Sequence, residues 1–305
     1  MMAATKPKIG FVGVGAMGTP MAACLIKAGY PLTAYDSNPD RIAALAKEHG
    51  ITPAATLAEL GKQSDVVITI LPNSAIVEDV LFGPQGLASS LRRGAVVIEM
   101  TSGIPSQTVA FSQRLAGQGV VLFDAPVSGG VPRARTGELT IMAGGEQADI
   151  DAAMPILNAL GKVIPTGKIG SGHAMKALNN LVSSAGFLIG IEALIIGSRF
   201  GIDPETMVDI LNVSTGMNNS TQKKFKQYVL SRKFDSGFAM SLMVKDLTIA
   251  LGIAHENNVN APFADLCRNL WAGASAVLGP QADHTAVALL SEQLAGMQIG
   301  NPEKQ

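Results

Sequence analysis

Residues 8–18 read KIGFVGVGAMG, and this stretch decides the fold of the first half of the chain. Its apolar start predicts a buried strand, and the glycines predict a tight turn that leads into a helical segment, residues 21–29. In such a turn Gly13 permits the bend, Gly15 lets the backbone approach a pyrophosphate and Gly18 lets the helix pack closely. We therefore predict a dinucleotide-binding turn composed of Gly13, Val14, Gly15, Ala16, Met17 and Gly18.

A second apolar run ends at Asp36, 18 positions beyond Gly18. A carboxylate here accepts hydrogen bonds from the adenosine ribose and repels a 2′-phosphate, which predicts NAD in preference to NADP. Arg41, in the next predicted helix, could instead reach a phosphate, so NADP stays possible. The alternatives are a strand-to-helix turn with incidental glycines and an Asp36 that only caps the turn after it.

Apolar runs typical of strands alternate with helical patterns through the first half of the chain. The later runs lie at residues 66–71, 95–100, 120–124, 139–143 and 162–165. Near-continuous apolar strands between helices predict a mostly parallel sheet covered on both faces. We therefore expect a Rossmann-type, doubly wound α/β domain over residues 1–168, followed by an all-α domain over residues 169–305.

Polar residues follow several predicted strands, and ligands of open α/β sheets collect beyond the carboxyl ends of the strands. The residues predicted to line the nicotinamide and its ribose are Leu71, Pro72, Thr101 and Ser102. After a further strand, Ser128 offers a hydroxyl, and Gly129 and Gly130 expose backbone N–H groups that can receive a carboxylate. A plain flexible loop is the alternative for this last segment.

Lys176 and Asn180 stand four residues apart at the start of a long apolar segment. If the segment is helical, the ammonium and the amide project from one face, one turn apart. Such a pair can hold a substrate hydroxyl and move its proton. The apolar segment that follows approaches the length of a membrane span, but Glu192 in its middle favours a helix buried in protein.

Composition favours a soluble enzyme. The chain has 305 residues, of which 47% are hydrophobic and 15% charged, which is ample for two well-buried domains. A net charge of −1 argues against nucleic acid or an anionic membrane as a partner. The two cysteines provide neither a disulfide framework nor a metal cluster, and residues 1–8 lack the apolar core of a signal peptide. We expect a cytoplasmic location and no metal.

With these residues assembled, the chain resembles the β-hydroxyacid dehydrogenase family, which includes 3-hydroxyisobutyrate dehydrogenase and tartronate semialdehyde reductase. Four blocks in this order carry the resemblance: residues 11–22, residues 124–130 with Ala134, Gly137 and Leu139, residues 176–180, and Lys245-Asp246.

The resemblance implies roles for residues of three blocks. Lys176 is implied as the catalytic acid and base, with Asn180 assisting at the substrate hydroxyl. Ser128 and Gly129 are implied to hold the substrate carboxylate. Lys245 is implied to border the pocket and the cofactor. The family also implies a homodimer or homotetramer built through the helical domain.

Two departures from the family pattern are visible. Glu99, near the end of the apolar run at residues 95–100, stands where many relatives have Asp. Residues 216–221 read GMNNST in a region that often gives the pocket an aromatic or small residue. The amides here, Asn219 among them, indicate a substrate with polar groups beyond its carboxylate, or else the N-cap of a helix.

The predicted reaction is hydride transfer between C4 of nicotinamide and a small 3-hydroxy acid or its semialdehyde, with Lys176 carrying the proton. In the oxidising direction the amine must be neutral, which desolvation or the charge of Lys245 would favour. No catalytic histidine is needed, although His173 is expected near the site. The alternatives are a phosphogluconate-type dehydrogenase, an imine reductase and a non-catalytic dinucleotide-binding scaffold; the short helical domain disfavours the first, and Lys176 the other two.

Overall fold

A nine-stranded sheet organises the first of the two units into which the chain divides, between Lys176 and Ala177. The structure, a computed structural model, describes residues 6–300. The strands are β1 (Ile9–Val12), β2 (Leu32–Tyr35), β3 (Thr52–Pro53), β4 (Val66–Thr69), β5 (Val96–Glu99), β6 (Val121–Asp124), β7 (Val127–Ser128), β8 (Leu139–Gly144) and β9 (Gly161–Gly167).

The strand order is β3-β2-β1-β4-β5-β6-β8-β7, with β9 also paired to β8. Strands β1 to β6 pair in parallel, whereas β8 is antiparallel to both β6 and β7. The order reverses on either side of β1, which is the kind of position at which open α/β sheets bind ligands. The prediction of a mostly parallel, doubly wound sheet is confirmed; the two-residue strands β3 and β7 were not predicted, because so short a run carries no periodicity.

Helices cover this sheet on both faces. They are α1 (Gly18–Lys27), α2 (Pro39–His49), α3 (Leu57–Gln63), α4 (Ser74–Phe82), α5 (Pro105–Ala116), α6 (Gly130–Thr136) and α7 (Gln147–Leu157), with a 3-10 turn at Leu87–Ser89. Alternate strand residues enter two separate apolar clusters, because successive side chains of a strand point to opposite faces. Phe11 and Ile68 belong to one cluster, while Val12 and Val67 belong to the other.

The second unit is helical. Helix α8 (Ser171–Phe200) contributes its first six residues to the first unit and the rest to the second. It is followed by α9 (Pro204–Asn212), α10 (Asn219–Lys223), a π-helix (Phe225–Leu230), α11 (Met240–Glu256), α12 (Pro262–Leu278), a 3-10 turn (His284–Ala286) and α13 (Val287–Ala295). Phe187, Phe225 and Trp271 are fully buried in the core of this unit. The predicted all-α second part is therefore confirmed.

Helix α8 also carries an exposed apolar stripe. Val182, Ile189 and Ile196 are spaced seven residues apart and expose 74%, 57% and 69% of their surface. By length and composition alone α8 could cross a membrane, with a mean hydropathy of 1.8 over its most apolar window and 39% of that window buried. Core helices of soluble proteins share this property, so it does not by itself indicate a membrane protein.

Candidate active site

The glycine turn between β1 and α1 has the geometry of a dinucleotide site. Gly13 has φ +97°, and a Cβ there would lie 2.3 Å from the carbonyl oxygen of Ile70. A Cβ on Gly18 would lie 1.8 Å from the carbonyl oxygen of Gly13, so neither position admits a side chain. Gly15 instead faces open space, with only Arg41 at 3.8 Å. The backbone is therefore accessible where a pyrophosphate would approach, next to the positive end of α1.

Asp36 is tied to this turn. One of its carboxylate oxygens accepts the N–H of Val14 at 2.9 Å, and the other accepts the N–H of Asn38 at 2.9 Å. The guanidinium of Arg41 lies 3.6 Å from the same carboxylate and is more than half exposed. The structure thus places a carboxylate and an exposed guanidinium side by side at the end of β2. Asp36 and Arg41, the two residues on which the predicted choice between NAD and NADP depends, are therefore neighbours.

The loops after β4 and β5 are joined by a hydrogen bond. The N–H of Leu71 donates to Thr101 Oγ1 at 3.0 Å, and Thr101 is buried. Ser102 is half-buried and Pro72 is exposed. The Thr101 hydroxyl therefore holds the two loops together, while Ser102 and Pro72 present accessible surface at the carboxyl end of the sheet.

A buried polar cluster lies beside these loops, at the start of α8. Glu99 Oε2 is 2.8 Å from His173 Nε2, and each residue exposes only 1% of its surface. The other ring nitrogen, Nδ1, is 3.0 Å from the hydroxyl of Thr108. His173 was predicted to lie near the site, but its partners were not predicted. The available signal was a pair of acidic residues, Glu99 and Asp124, that end adjacent strands and stand opposite each other.

Asp124 holds the backbone at the start of α8. Its two oxygens accept the N–H groups of Gly170 at 2.6 Å and of His173 at 2.8 Å. A Cβ on Gly172 would lie 2.2 Å from the carbonyl oxygen of Met142, so this close approach requires glycine. Burial raises the pKa of Asp124 and the neighbouring Glu99 adds to the rise, whereas His173 and the two backbone N–H groups oppose it.

Ser128 ends β7, and two glycines with positive φ follow it. Gly129 has φ +133° and Gly130 has φ +67°, conformations that side chains rarely adopt. Both glycines are exposed and Ser128 is half-buried. The side chain of Arg133 covers one side of Gly129, because a Cβ there would lie 2.8 Å from Arg133 Cδ. The segment is therefore a specific backbone turn, which supports the anion-binding interpretation over that of a plain flexible loop.

Lys176 and Asn180 both lie on α8, which is continuous through them, so they stand one turn apart on one face. Lys176 is half-buried and Asn180 is buried. The side-chain N–H of Asn180 donates to Asp246 Oδ2 at 2.5 Å, and its oxygen accepts the side-chain N–H of Asn179 at 3.1 Å. These two bonds fix the orientation of the Asn180 amide.

Asp246 is a residue whose importance the sequence patterns did not indicate. It is buried, and its second oxygen lies 3.2 Å from the ammonium of Lys245. One carboxylate therefore joins two predicted site residues of the second unit, Asn180 and Lys245. The only hint in the sequence was the Lys245-Asp246 block of the family resemblance.

The amides near residue 218 have a structural role. Asn218 caps α10, its side-chain oxygen accepting the N–H groups of Ser220 at 2.8 Å and Thr221 at 3.2 Å, in a reciprocal capping box. Asn219 is the exposed first residue of that helix. Among residues 6–300, which the structure describes, Asn219 is not one of the two residues of the capping box, so its substrate role stays a prediction. The same described range contains no group of three or more His, Cys, Asp or Glu side chains that could hold a metal ion.

Comparison with known proteins extends this geometry. Residues 8–170 match the family model for the NAD binding domain of 6-phosphogluconate dehydrogenase, and residues 170–291 match that for the NAD-binding part of NADP-dependent 3-hydroxyisobutyrate dehydrogenase. The 2-(hydroxymethyl)glutarate dehydrogenase of Eubacterium barkeri is 36% identical, over 96% of this chain and 97% of its own.

Two further relatives are similar. The mitochondrial 3-hydroxyisobutyrate dehydrogenase of Mus musculus is 36% identical, over 81% of this chain and 76% of its own. The solved structure of Mycobacterium tuberculosis 3-hydroxyisobutyrate dehydrogenase with L-serine has a TM-score of 0.86 and 27% identity, covering 94% of this chain and 99% of its own. With a glycine turn built for a dinucleotide and full-length relatives of this kind, the chain belongs to the β-hydroxyacid dehydrogenase family and is an NAD(P)-dependent oxidoreductase.

Proposed function

We propose that this enzyme interconverts a small 3-hydroxy acid and its semialdehyde, with Lys176 as the general acid and base. The observation that carries the proposal is the pair on α8: Lys176 stands one turn from Asn180, whose amide is oriented by Asp246 at 2.5 Å. The named activities of the 2-(hydroxymethyl)glutarate and 3-hydroxyisobutyrate dehydrogenases support a hydroxy acid as the substrate. NAD(P), when bound, supplies or accepts the hydride at C4 of its nicotinamide.

Lys176 has a different task in each direction. During reduction its ammonium donates a proton to the carbonyl oxygen as the alkoxide forms, and its positive charge stabilises that oxygen. During oxidation the neutral amine accepts the proton of the hydroxyl. The fixed amide of Asn180 holds the same oxygen, so that the proton moves along one short hydrogen bond.

The substrate carboxylate is proposed to bind at Ser128, Gly129 and Gly130. Both glycines are exposed and have positive φ, and exposed backbone N–H groups in such a turn favour an anion. The hydroxyl of Ser128 adds a third donor. Anchoring the carboxylate there leaves the carbinol carbon as the part of the substrate that is free to face the hydride.

For the cofactor we propose a preference for NAD, with NADP accepted less well. Asp36 faces the adenosine ribose in this proposal, and Arg41 moderates its repulsion of a 2′-phosphate. The turn from Gly13 to Gly18 binds the pyrophosphate. The residues proposed to line the nicotinamide end are Leu71, Pro72, Thr101, Ser102 and Lys245. The proposed domains are residues 1–168, which bind the cofactor and carry the carboxylate site, and residues 169–305, which contribute Lys176, Asn180 and Lys245 and serve assembly.

A second copy of the chain is the proposed cover of the apolar stripe on α8, giving a homodimer or homotetramer in the cytoplasm. Exposed apolar side chains on α12, including Phe263 and Leu266, extend the apolar surface of the same unit. A bilayer is disfavoured as the cover because Glu192 is exposed between Ile189 and Ile196 on the stripe. Light scattering after gel filtration tests this point; a monomer of 31.5 kDa would overturn it.

The reaction is tested with a panel of semialdehyde acids and their 3-hydroxy acids, assayed with NADH and NADPH and with the oxidised cofactors. We expect turnover of at least one small 3-hydroxy acid and its semialdehyde, faster with NAD(H). Cyclic imines serve as the contrasting substrates. Reduction of imines without turnover of any aldehyde acid would overturn the proposal.

A further inference from the structure

Glu99 uses its two carboxylate oxygens for two different parts of the first unit. Oε1 accepts the N–H of Thr101 at 2.8 Å, and Oε2 lies 2.8 Å from His173 Nε2. Because the carboxylate is buried and planar, a shift at one contact is transmitted to the other rather than absorbed by solvent.

The contact of Glu99 with Thr101 connects it to the proposed nicotinamide end of the site. Thr101 carries the contact onward, since its hydroxyl accepts the N–H of Leu71 at 3.0 Å. The loops after β5 and β4 are therefore held in a fixed relation to Glu99. In the proposed function these loops position the carbon that exchanges hydride.

The contact of Glu99 with His173 connects it to Lys176. His173 is held at both ring nitrogens, by Glu99 and by Thr108, and its backbone N–H is held by Asp124 at 2.8 Å. Three contacts thus fix both the start of α8 and its rotation about the helix axis. Lys176 follows His173 by three residues, within the same helical turn, so its direction is set by the same contacts.

We propose that Glu99 is a positioning residue. It holds Lys176, which carries the proton, in a fixed position relative to the loops after β4 and β5 that line the nicotinamide. The proposal rests on the proposed function, because it assumes that Lys176 carries the proton. Hydride and proton transfer must occur on one substrate within a narrow geometry, and a misplacement of about 1 Å can lower the rate roughly 100-fold. A single buried carboxylate that holds both partners limits such misplacement.

The first test variant breaks the contact of Glu99 with His173 and retains its contact with Thr101. Glu99→Asp keeps the charge and an oxygen near the N–H of Thr101, because a carboxylate commonly bonds a backbone N–H two residues on. Its side chain is shorter by one methylene, about 1.5 Å, and so withdraws from His173. Thr108→Val removes the second contact of the ring at nearly constant volume, and Thr108→Ser restores the hydroxyl.

We expect Glu99→Asp and Thr108→Val to lower kcat by roughly 10- to 100-fold while the KM for NADH changes less than about threefold. Thr108→Ser should keep most of the wild-type kcat. Ser64→Ala is the matched control, because Ser64 is buried in the same unit and donates to the carbonyl oxygen of Leu60 at 2.6 Å. It should lower the melting temperature without lowering kcat.

A double-mutant cycle separates positioning from a general structural role. If Glu99 acts through Lys176, Glu99→Asp should lower kcat much less in a Lys176→Ala background than in the wild type. Equal losses of kcat in the two backgrounds would overturn the positioning role while leaving Lys176 as acid and base. The same conclusion would follow if Glu99→Asp and Thr108→Val had the same kcat as Ser64→Ala at the same melting temperature. Wild-type kcat in Lys176→Ala alone would overturn the proposed function and this inference together.

Discussion

Asn180 and Asp246 are joined by a 2.5 Å hydrogen bond between two buried side chains. The same carboxylate lies 3.2 Å from the ammonium of Lys245. Asp246 therefore decides which way the Asn180 amide faces and keeps a lysine charge beside it. The bond links α8 to α11 within the second unit. Asp246 therefore belongs to the candidate site through Asn180 and need not contact the substrate itself.

Replacing Asp246 by Asn should lower kcat/KM by roughly 10- to 100-fold, because a charge-assisted hydrogen bond contributes about 1.5–3 kcal/mol. Asp209→Asn is the control, since Asp209 pairs with Lys226 at 2.5 Å on the surface of the same unit. Exposed ion pairs contribute little, so this variant should resemble the wild type. Steady-state kinetics with the preferred substrate give the comparison; equal behaviour of the two variants would remove Asp246 from the site.

Lys176→Ala should lose roughly 10²- to 10⁴-fold in turnover while still binding NADH, because proton transfer is lost and the glycine turn is untouched. Turnover is measured at saturating substrate, and cofactor binding by NADH fluorescence. Lys168→Ala, an exposed lysine of the same unit, is the control. Near-normal turnover in Lys176→Ala would show that another group carries the proton.

The wild type should have a higher kcat/KM for NADH than for NADPH, and Asp36→Ala should narrow the gap by relieving repulsion of the 2′-phosphate. Because Asp36 also accepts the N–H groups of Val14 and Asn38, this variant should use NADH less well too. Arg41→Ala should weaken NADPH use alone. Equal efficiency with both cofactors in the wild type would contradict the proposed preference.

Esterifying the substrate carboxylate should weaken binding far more than changing the other end of the substrate. Ser128→Ala should raise KM for the acid by a factor corresponding to about 1.5–3 kcal/mol, with little effect on the affinity for NAD. Kinetics with the free acid and its methyl ester, in wild type and variant, provide the measurement. An ester turned over as well as the acid would mean that the carboxylate binds elsewhere.

Stability should fall in mild acid because of His284. Burial, with the nearby charge of Lys224, lowers the pKa of His284 to about 3, whereas an unfolded histidine titrates near 6.5. Between these values the unfolded chain binds one more proton than the folded one, which removes about 1.4 kcal/mol of stability per pH unit as pH falls. Urea unfolding from pH 7 to pH 4 should show this slope in the wild type and in His255→Gln, an exposed control, but not in His284→Gln.

The sequence predicted the features that depend on local pattern. Apolar runs and the glycine spacing were sufficient for the parallel sheet, the turn after β1 and the helical second part, because each follows from neighbouring residues. The contact of Glu99 with His173 was not predictable in this way. The two residues are far apart in the chain, and nothing in the periodicity of either segment indicates that β5 meets the start of α8.

Asn218 and Asn219 illustrate a different limit. Adjacent amides before a helix are compatible with both a cap and a ligand-binding role, and local pattern does not separate the two. The backbone conformation decides that Asn218 is the cap, since its φ is −151° and its side chain accepts two N–H groups of α10. These two hydrogen bonds depend on the local backbone conformation, which composition and spacing do not reveal.

The continuity of α8 constrains how this enzyme can evolve. The offset between Lys176 and Asn180 is set by the helical repeat, so an exposed residue between them, such as Leu178, can change without moving either group. An insertion or deletion has the opposite effect, because one residue rotates everything beyond it by about 100°. At Leu178 substitutions should accumulate among homologues, whereas changes in length over this stretch should be eliminated by selection.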